Sequence, residues 1–227
     1  MPNHVTHRVT VRGSRQTLET LVDRFCARDE NGFLLIDFNT VVPQPSVLND
    51  TRSNTEIHYG LALLGRGELG DFGPTTLEEM LGHSWVVEVG ITSVEQLKTR
   101  LLERYPDCIE QAKEAIRVYE ETGHTSWYGW QMANWGVKWG AYNARPEERG
   151  DGSLSLIFDT AWSVPHPIFR LIAAELPAAS AEIVSFEEMW RFASLASIGN
   201  GHYLAEDVEP TDALYERVFG RSPERDD

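Results

Sequence analysis

The sequence predicts an α+β protein: an antiparallel sheet with helices on one face and a large helical insertion. Three observations carry that expectation. Segments in which polar and apolar residues alternate lie towards both ends of the 227-residue chain. Segments with helical spacing, some opened by capping residues, fill its middle. Turn signals rich in Gly and Pro separate them.

His7-Arg8-Val9-Thr10-Val11-Arg12 alternates as far as Gly13, as a half-buried strand does. Ser14 supplies a capping oxygen for a helix whose stripe is Leu18, Leu21, Val22 and Phe25. Phe33 to Val42 is almost continuously apolar and stops at Pro43-Gln44-Pro45, which reads as a second strand. Residues 1–45 are therefore expected to be β-α-β.

Residues 46–125 are expected to be a helical insertion. Thr75-Thr76-Leu77-Glu78 and Ser93-Val94-Glu95-Gln96 have the form of capping boxes. Tyr105-Pro106 interrupts the periodicity, Ile109, Ala112, Ile116 and Tyr119 form the next stripe, and Gly123 is a natural stop. Trp85-Val86-Val87-Glu88-Val89 reads equally as a short strand or a buried loop.

Residues 126–205 are expected to complete the sheet as β-β-α-β-β. Trp135, Val137, Trp139 and Ala141 alternate with Gly136, Lys138, Gly140 and Tyr142. Pro146-Glu147-Glu148-Arg149-Gly150-Asp151-Gly152 turns the chain into Leu154, Leu156 and Phe158. Pro165 and Pro167 introduce a helix carrying Ile168, Phe169, Ile172, Ala173 and Leu176. Glu182 to Glu187 alternates again, and Phe192 to Tyr203 suits a hairpin around Gly199-Asn200-Gly201. Residues 206–227 read as a C-terminal extension whose end frays. With the insertion removed, the outline is a ferredoxin-like, or split βαβ, arrangement within a single domain spanning 1–227.

The formal charge of −15 disfavours a nucleic-acid partner, because binding the phosphate backbone needs clustered Lys and Arg. It suits solubility or docking to a basic protein. The absence of a long apolar run and of a secretory leader leads to the expectation of a cytoplasmic protein with no membrane partner. Cys26 and Cys108 are expected to be reduced core thiols.

Four of the seven tryptophans fall within thirteen residues, at 127, 130, 135 and 139. Trp127-Tyr128-Gly129-Trp130 with Asn134-Trp135-Gly136-Val137-Lys138-Trp139 resembles the most characteristic block of the YubB-type (phage Api-like) proteins of phages, prophages and conjugative plasmids. Three more blocks resemble that family in the same order: Met1-Pro2-Asn3 before a strand ending at Gly13, Phe38-Asn39-Thr40-Val41-Val42-Pro43-Gln44-Pro45, and Phe158-Asp159-Thr160-Ala161-Trp162-Ser163-Val164-Pro165 with Pro167. His4 departs from it, standing where a Trp is common, and the match fades after Ile183. The resemblance implies a ferredoxin-like domain from a mobile element and implies no established activity.

Two roles are weighed for the aromatic cluster. Trp127, Tyr128, Trp130 and Lys138 are candidate binding residues, able to stack bases or partner side chains. Trp135, Trp139 and Trp162 are expected in the core, the first two as inward-facing strand positions. His4 and His7 point to opposite faces of a strand, and His58, His83, His124, His166 and His202 are scattered, so no metal or cofactor is expected. Glu187 and Glu188 adjoin on a strand and diverge. Gly65-Arg66-Gly67-Glu68-Leu69-Gly70 follows a helix and reads as a loop, and Asp71-Phe72-Gly73 lacks the other kinase elements. The expected function is a non-enzymatic accessory protein that binds a host protein and counteracts host defence. The alternatives are a single-stranded nucleic-acid module using the Trp cluster, or an enzyme whose site assembles in three dimensions around His124, His166 or His202.

Overall fold

The computed structural model describes residues 3–224. Met1 and Pro2 of the opening block, and residues 225–227 at the end expected to fray, lie outside them. The chain runs through β1 (His4–Arg12), α1 (Arg15–Phe25), β2 (Cys26–Arg28), β3 (Leu34–Ile36) and α2 (Phe38–Val41). Six helices follow: α3 (Thr55–Leu63), α4 (Leu77–Met80), α5 (Ser84–Glu88), α6 (Val94–Arg104), α7 (Cys108–Thr122) and α8 (Trp127–Asn134). The last part is β4 (Lys138–Gly150), β5 (Ser153–Ala161), α9 (His166–Glu175), β6 (Ser180–Glu187), β7 (Ala193–Gly199), β8 (His202–Val208) and α10 (Asp212–Phe219).

Two compact units result, Met1–Pro43 with Gln131–Asp227, and Gln44–Trp130. The first holds a six-stranded antiparallel sheet of order β4-β5-β1-β6-β7-β8, so the class is α+β. In β1, Val5, Val9 and Val11 are buried on one face, where Val9 and Val11 meet Leu21 of α1, Leu156 of β5 and Ile172 of α9. Ser14 caps α1 by accepting from the Thr17 N–H, as its sequence position predicts.

Part of the sheet is covered by α10, through Val184, Phe186, Leu214 and Val218. Arg8 ties that helix down by donating Nε to the Val218 carbonyl, 3.2 Å away. Thus the extension from residue 206 is folded through Phe219, with Thr211 as its N-cap and Gly220 as its left-handed stop.

The expected strand from Phe33 to Val42 is corrected. Only Leu34–Ile36 forms a strand, and it pairs with Cys26–Arg28 in a separate two-stranded ribbon. Asp37 ends it, because its carboxylate accepts the Asn39 N–H and starts α2. Phe38 is then buried edge-on against Trp135 and Phe158. The strand read from Trp135 likewise begins only at Lys138.

In the second unit, α3 lies against α7, and Gly60 permits the approach: a Cβ there would sit 2.0 Å from the Cys108 carbonyl oxygen. Ile57, Leu61, Ala112 and Ala115 seal that contact. A second cluster joins Tyr59, Leu77, Met80, Val86, Leu97 and Leu101. The ambiguous Trp85 to Val89 stretch is mainly the helix α5, burying Val86. Thr76 and Glu79 make the reciprocal capping box, one residue later than the spacing of Thr75 and Glu78 suggests. Both cysteines are free thiols, Cys26 half-buried and Cys108 buried. Among the described residues no helix is long and apolar enough to cross a membrane.

Candidate functional site

The first unit carries its unusual chemistry at the end of the sheet where β1 begins. α8 stops as the N–H groups of Trp135 and Gly136 both return to the Gln131 carbonyl. Gly136 has φ 79°, and a Cβ on it would meet the Pro167 ring at 2.8 Å. Only glycine satisfies both conditions. Trp135 is thereby turned inward, 5% exposed, with its indole N–H on the Val42 carbonyl at 3.0 Å. Val137 is fully buried. The core expectation holds for Trp135.

It fails for Trp139 and Trp162, which are 40% and 43% exposed. The physical reason is backbone conformation: both have φ 69°, in the left-handed region. The register between β4 and β5 also shifts three times along their length, so period-two alternation does not survive in β4. Lys138 pairs with Ala161, so each tryptophan follows one member of that pair. The Trp139 N–H is taken by Gln131 Oε1 at 2.9 Å and the Trp162 N–H by the Asn3 carbonyl at 3.0 Å. The Lys138 ammonium lies 4.3 Å from the Trp139 centroid and 4.9 Å from that of Trp162. Both distances are within cation–π range. Left-handed backbone costs a residue bearing a Cβ roughly 1–2 kcal/mol, so this presentation is held in place by its surroundings.

A third tryptophan, Trp190, has φ 58° in the turn after β6. It stacks on Tyr215 at 5.6 Å with 10° between the planes and meets Phe186 edge-on. The turn is organised by Glu187, whose Oε2 accepts the N–H groups of Met189 and Arg191. Glu187 Oε1 is buried without a hydrogen-bond partner. Glu188 turns elsewhere, accepting the His4 N–H. The His4 ring bonds the Tyr142 hydroxyl at 2.9 Å, and burial, then the Asp159 and Glu188 carboxylates, push that phenol up to about 12.

His7 points into the core and is fully buried. Its Nδ1 lies 2.8 Å from Ser185 Oγ and its Nε2 2.7 Å from Thr160 Oγ1. Thr160 gives its own proton to the Ser163 carbonyl. Nε2–H therefore donates to Thr160 and Nδ1 accepts from Ser185, which fixes the neutral tautomer. Burial, with help from His166, lowers the His7 pKa to about 3. The ring is a structural hydrogen-bonding group, closed to solvent. Of the other histidines, His166 bonds the Tyr203 hydroxyl at 2.8 Å, while His202 is exposed. Among the described residues no three His, Cys, Asp or Glu side chains are placed to hold a metal ion.

Trp127, Tyr128 and Trp130 belong to the second unit, where Trp130 is buried and Trp127 and Tyr128 are half-buried. Their helix start is built on Asp71, which the sequence reading meets only as part of the dismissed Asp71-Phe72-Gly73 tripeptide. Asp71 accepts hydroxyl bonds from Ser53, Thr125 and Ser126. Ser126 in turn accepts the Tyr128 N–H, and Thr51 accepts the Trp127 N–H. Gly129 is needed beside it, since a Cβ would come within 2.5 Å of Asp71 Oδ1. Phe72, 59% exposed, packs on Tyr128 and on the edge of His58. Its hydroxyl partners lie 18 to 55 residues away in the chain, so no local sequence signal marks such a hub.

No model of a known protein family matches the chain, and no curated protein matches it. It is similar to a solved structure described as protein api92 from Yersinia pseudotuberculosis, family-model DUF1281. That likeness has a TM-score of 0.44 at 10% identity and covers 93% of this chain and 99% of the other. The activity of this chain has to be read from its own residues.

Proposed function

We propose that the chain is a non-enzymatic accessory protein of a phage, prophage or plasmid that binds a host protein in the cytoplasm and counteracts host defence. Its contact face is Trp139, Lys138 and Trp162. One observation carries this reading: two partly exposed indoles sit on left-handed backbone, both within reach of one ammonium. Full burial would serve folding better, yet the backbone is strained and about two fifths of each tryptophan stays in water. Binding gains more, because Trp dominates the residues whose truncation costs an interface most. The four sequence blocks support the YubB-type origin. The order β4-β5-β1-β6, with α1 and α9 in the connections, supports a ferredoxin-like core extended by β7 and β8. The acidic balance favours a basic partner.

The test is affinity capture from a bacterial lysate at low and high salt with the wild-type chain and the Trp139→Ala/Trp162→Ala variant. A specific partner retained by the first and lost by the second supports the proposal. A partner held equally by both, or none at low salt, overturns it.

The same face of two indoles and one ammonium favours a second reading, the stacking of single-stranded bases. Tryptophan quenching by DNA and RNA oligonucleotides at low ionic strength would establish it, and a flat titration would dismiss it.

A further inference from the structure

A cleft of about 400 Å³ opens beside α3 and α7 in the second unit. Ile57, Ala115 and Val118 give it an apolar floor and are each under a tenth exposed. Gln111 stands in the wall, its Nε2 donating to Glu56 at 3.1 Å and its Oε1 accepting from Asn54. The charged lining is unbalanced: Asp50, Glu110 and Glu114 face Arg52 alone.

We propose that this cleft docks a basic amphipathic helix from a protein partner. Gln111, Ala115 and Val118 follow one another along α7 at i, i+4 and i+7, so the floor runs for roughly 10 Å, about two helical turns. A helix laid along it places its own apolar residues on Ala115 and Val118 of α7 and beside Ile57 of α3. Its flanking Lys or Arg side chains then meet three carboxylates, whereas an acidic helix meets them with like charge. Glu110 and Glu114 already pair with Lys113 and Arg117, at 2.6 and 2.5 Å, but all four side chains are more than half exposed. Such surface pairs contribute little and exchange partners readily. The cleft lies in a different unit from the Trp139–Trp162 face and shares no residue with it, so either site can fail without the other.

The experiment uses the full chain and two synthetic helical peptides, one with Leu and Lys in heptad spacing and one with Glu replacing each Lys. The Lys peptide is expected to bind and the Glu peptide not. Ala115→Trp, which fills the floor without changing charge, should weaken binding by about tenfold or more, the size of effect a central contact carries. Where that variant unfolds, Val47→Trp on the half-buried wall serves instead. Glu110→Lys/Glu114→Lys should weaken binding by a similar factor, and Glu95→Lys/Glu103→Lys, an equal change of charge on exposed positions of α6, should leave most of it. Equal loss in both double variants, or binding indifferent to the filled floor, would mean general attraction to an acidic protein and overturns the proposal. Binding of the Glu peptide as tight as that of the Lys peptide overturns it too.

Discussion

Acidification should destabilise the first unit through His7 well before most carboxylates titrate. The perturbation is pH, compared between the wild type and His7→Gln, whose amide can also donate towards Thr160 and accept from Ser185. In the folded chain the His7 pKa is lowered from 6.5 to about 3 by burial. The unfolded chain therefore binds the proton first. Stability from this group is complete above about pH 6.5, falls as pH drops below that, and levels off near pH 3. One proton per molecule gives a slope of about 1.4 kcal/mol per pH unit, or about 2 kcal/mol between pH 7 and pH 5. Urea unfolding at pH 7, 6 and 5 reads it directly. The stability advantage of the wild type over His7→Gln should shrink by about 2 kcal/mol across that range. Parallel curves for the two proteins would refute a buried, neutral His7.

Trp135→Ala removes a buried ring packed on Phe38 and an indole hydrogen bond to Val42. It should cost about 3–5 kcal/mol, seen as a fall of roughly 10 °C in melting temperature; an unchanged melt contradicts its burial. Gly60→Ala drives a Cβ towards a backbone oxygen 2.0 Å away and should cost about 1–3 kcal/mol in urea unfolding. No loss would mean that α3 and α7 pack less closely than described.

Where local chemistry and periodicity agreed, the fold was legible in the sequence. Ser14 caps α1, Gly123 ends α7, and Gly199-Asn200-Gly201 lies where β7 turns into β8. The stretch from Phe33 to Val42 misled because an apolar run does not distinguish a strand from a short buried helix, and one carboxylate, Asp37, decided between them. The candidate site was half legible. The composition of the Trp cluster marked it, and Trp135 faces inward as expected. Trp139 and Trp162 were expected in the core and are not there, because left-handed backbone at a bulky residue is set by tertiary surroundings: the Gln131 side chain for one, the Asn3 carbonyl for the other. Lys138 was singled out as a candidate binding residue with Trp127, Tyr128 and Trp130. That it lies over the rings at 139 and 162 depends on the Lys138–Ala161 register, which no single segment encodes.

If Trp139 and Trp162 serve binding and not folding, glycine at both positions should relieve the left-handed strain while deleting the contact face. Relief of roughly 1–2 kcal/mol per site is set against glycine's entropy cost of about 0.5–1 kcal/mol, the loss of the Lys138 contacts and the loss of the buried part of each ring. The decisive measurement is thermal unfolding of the Trp139→Gly/Trp162→Gly variant beside the wild type. The expected result is a fall in melting temperature clearly smaller than that of Trp135→Ala. A fall of about 10 °C or more, of the size expected for Trp135→Ala, would show that the pair belongs to the packing of the sheet and would contradict a face built for a partner.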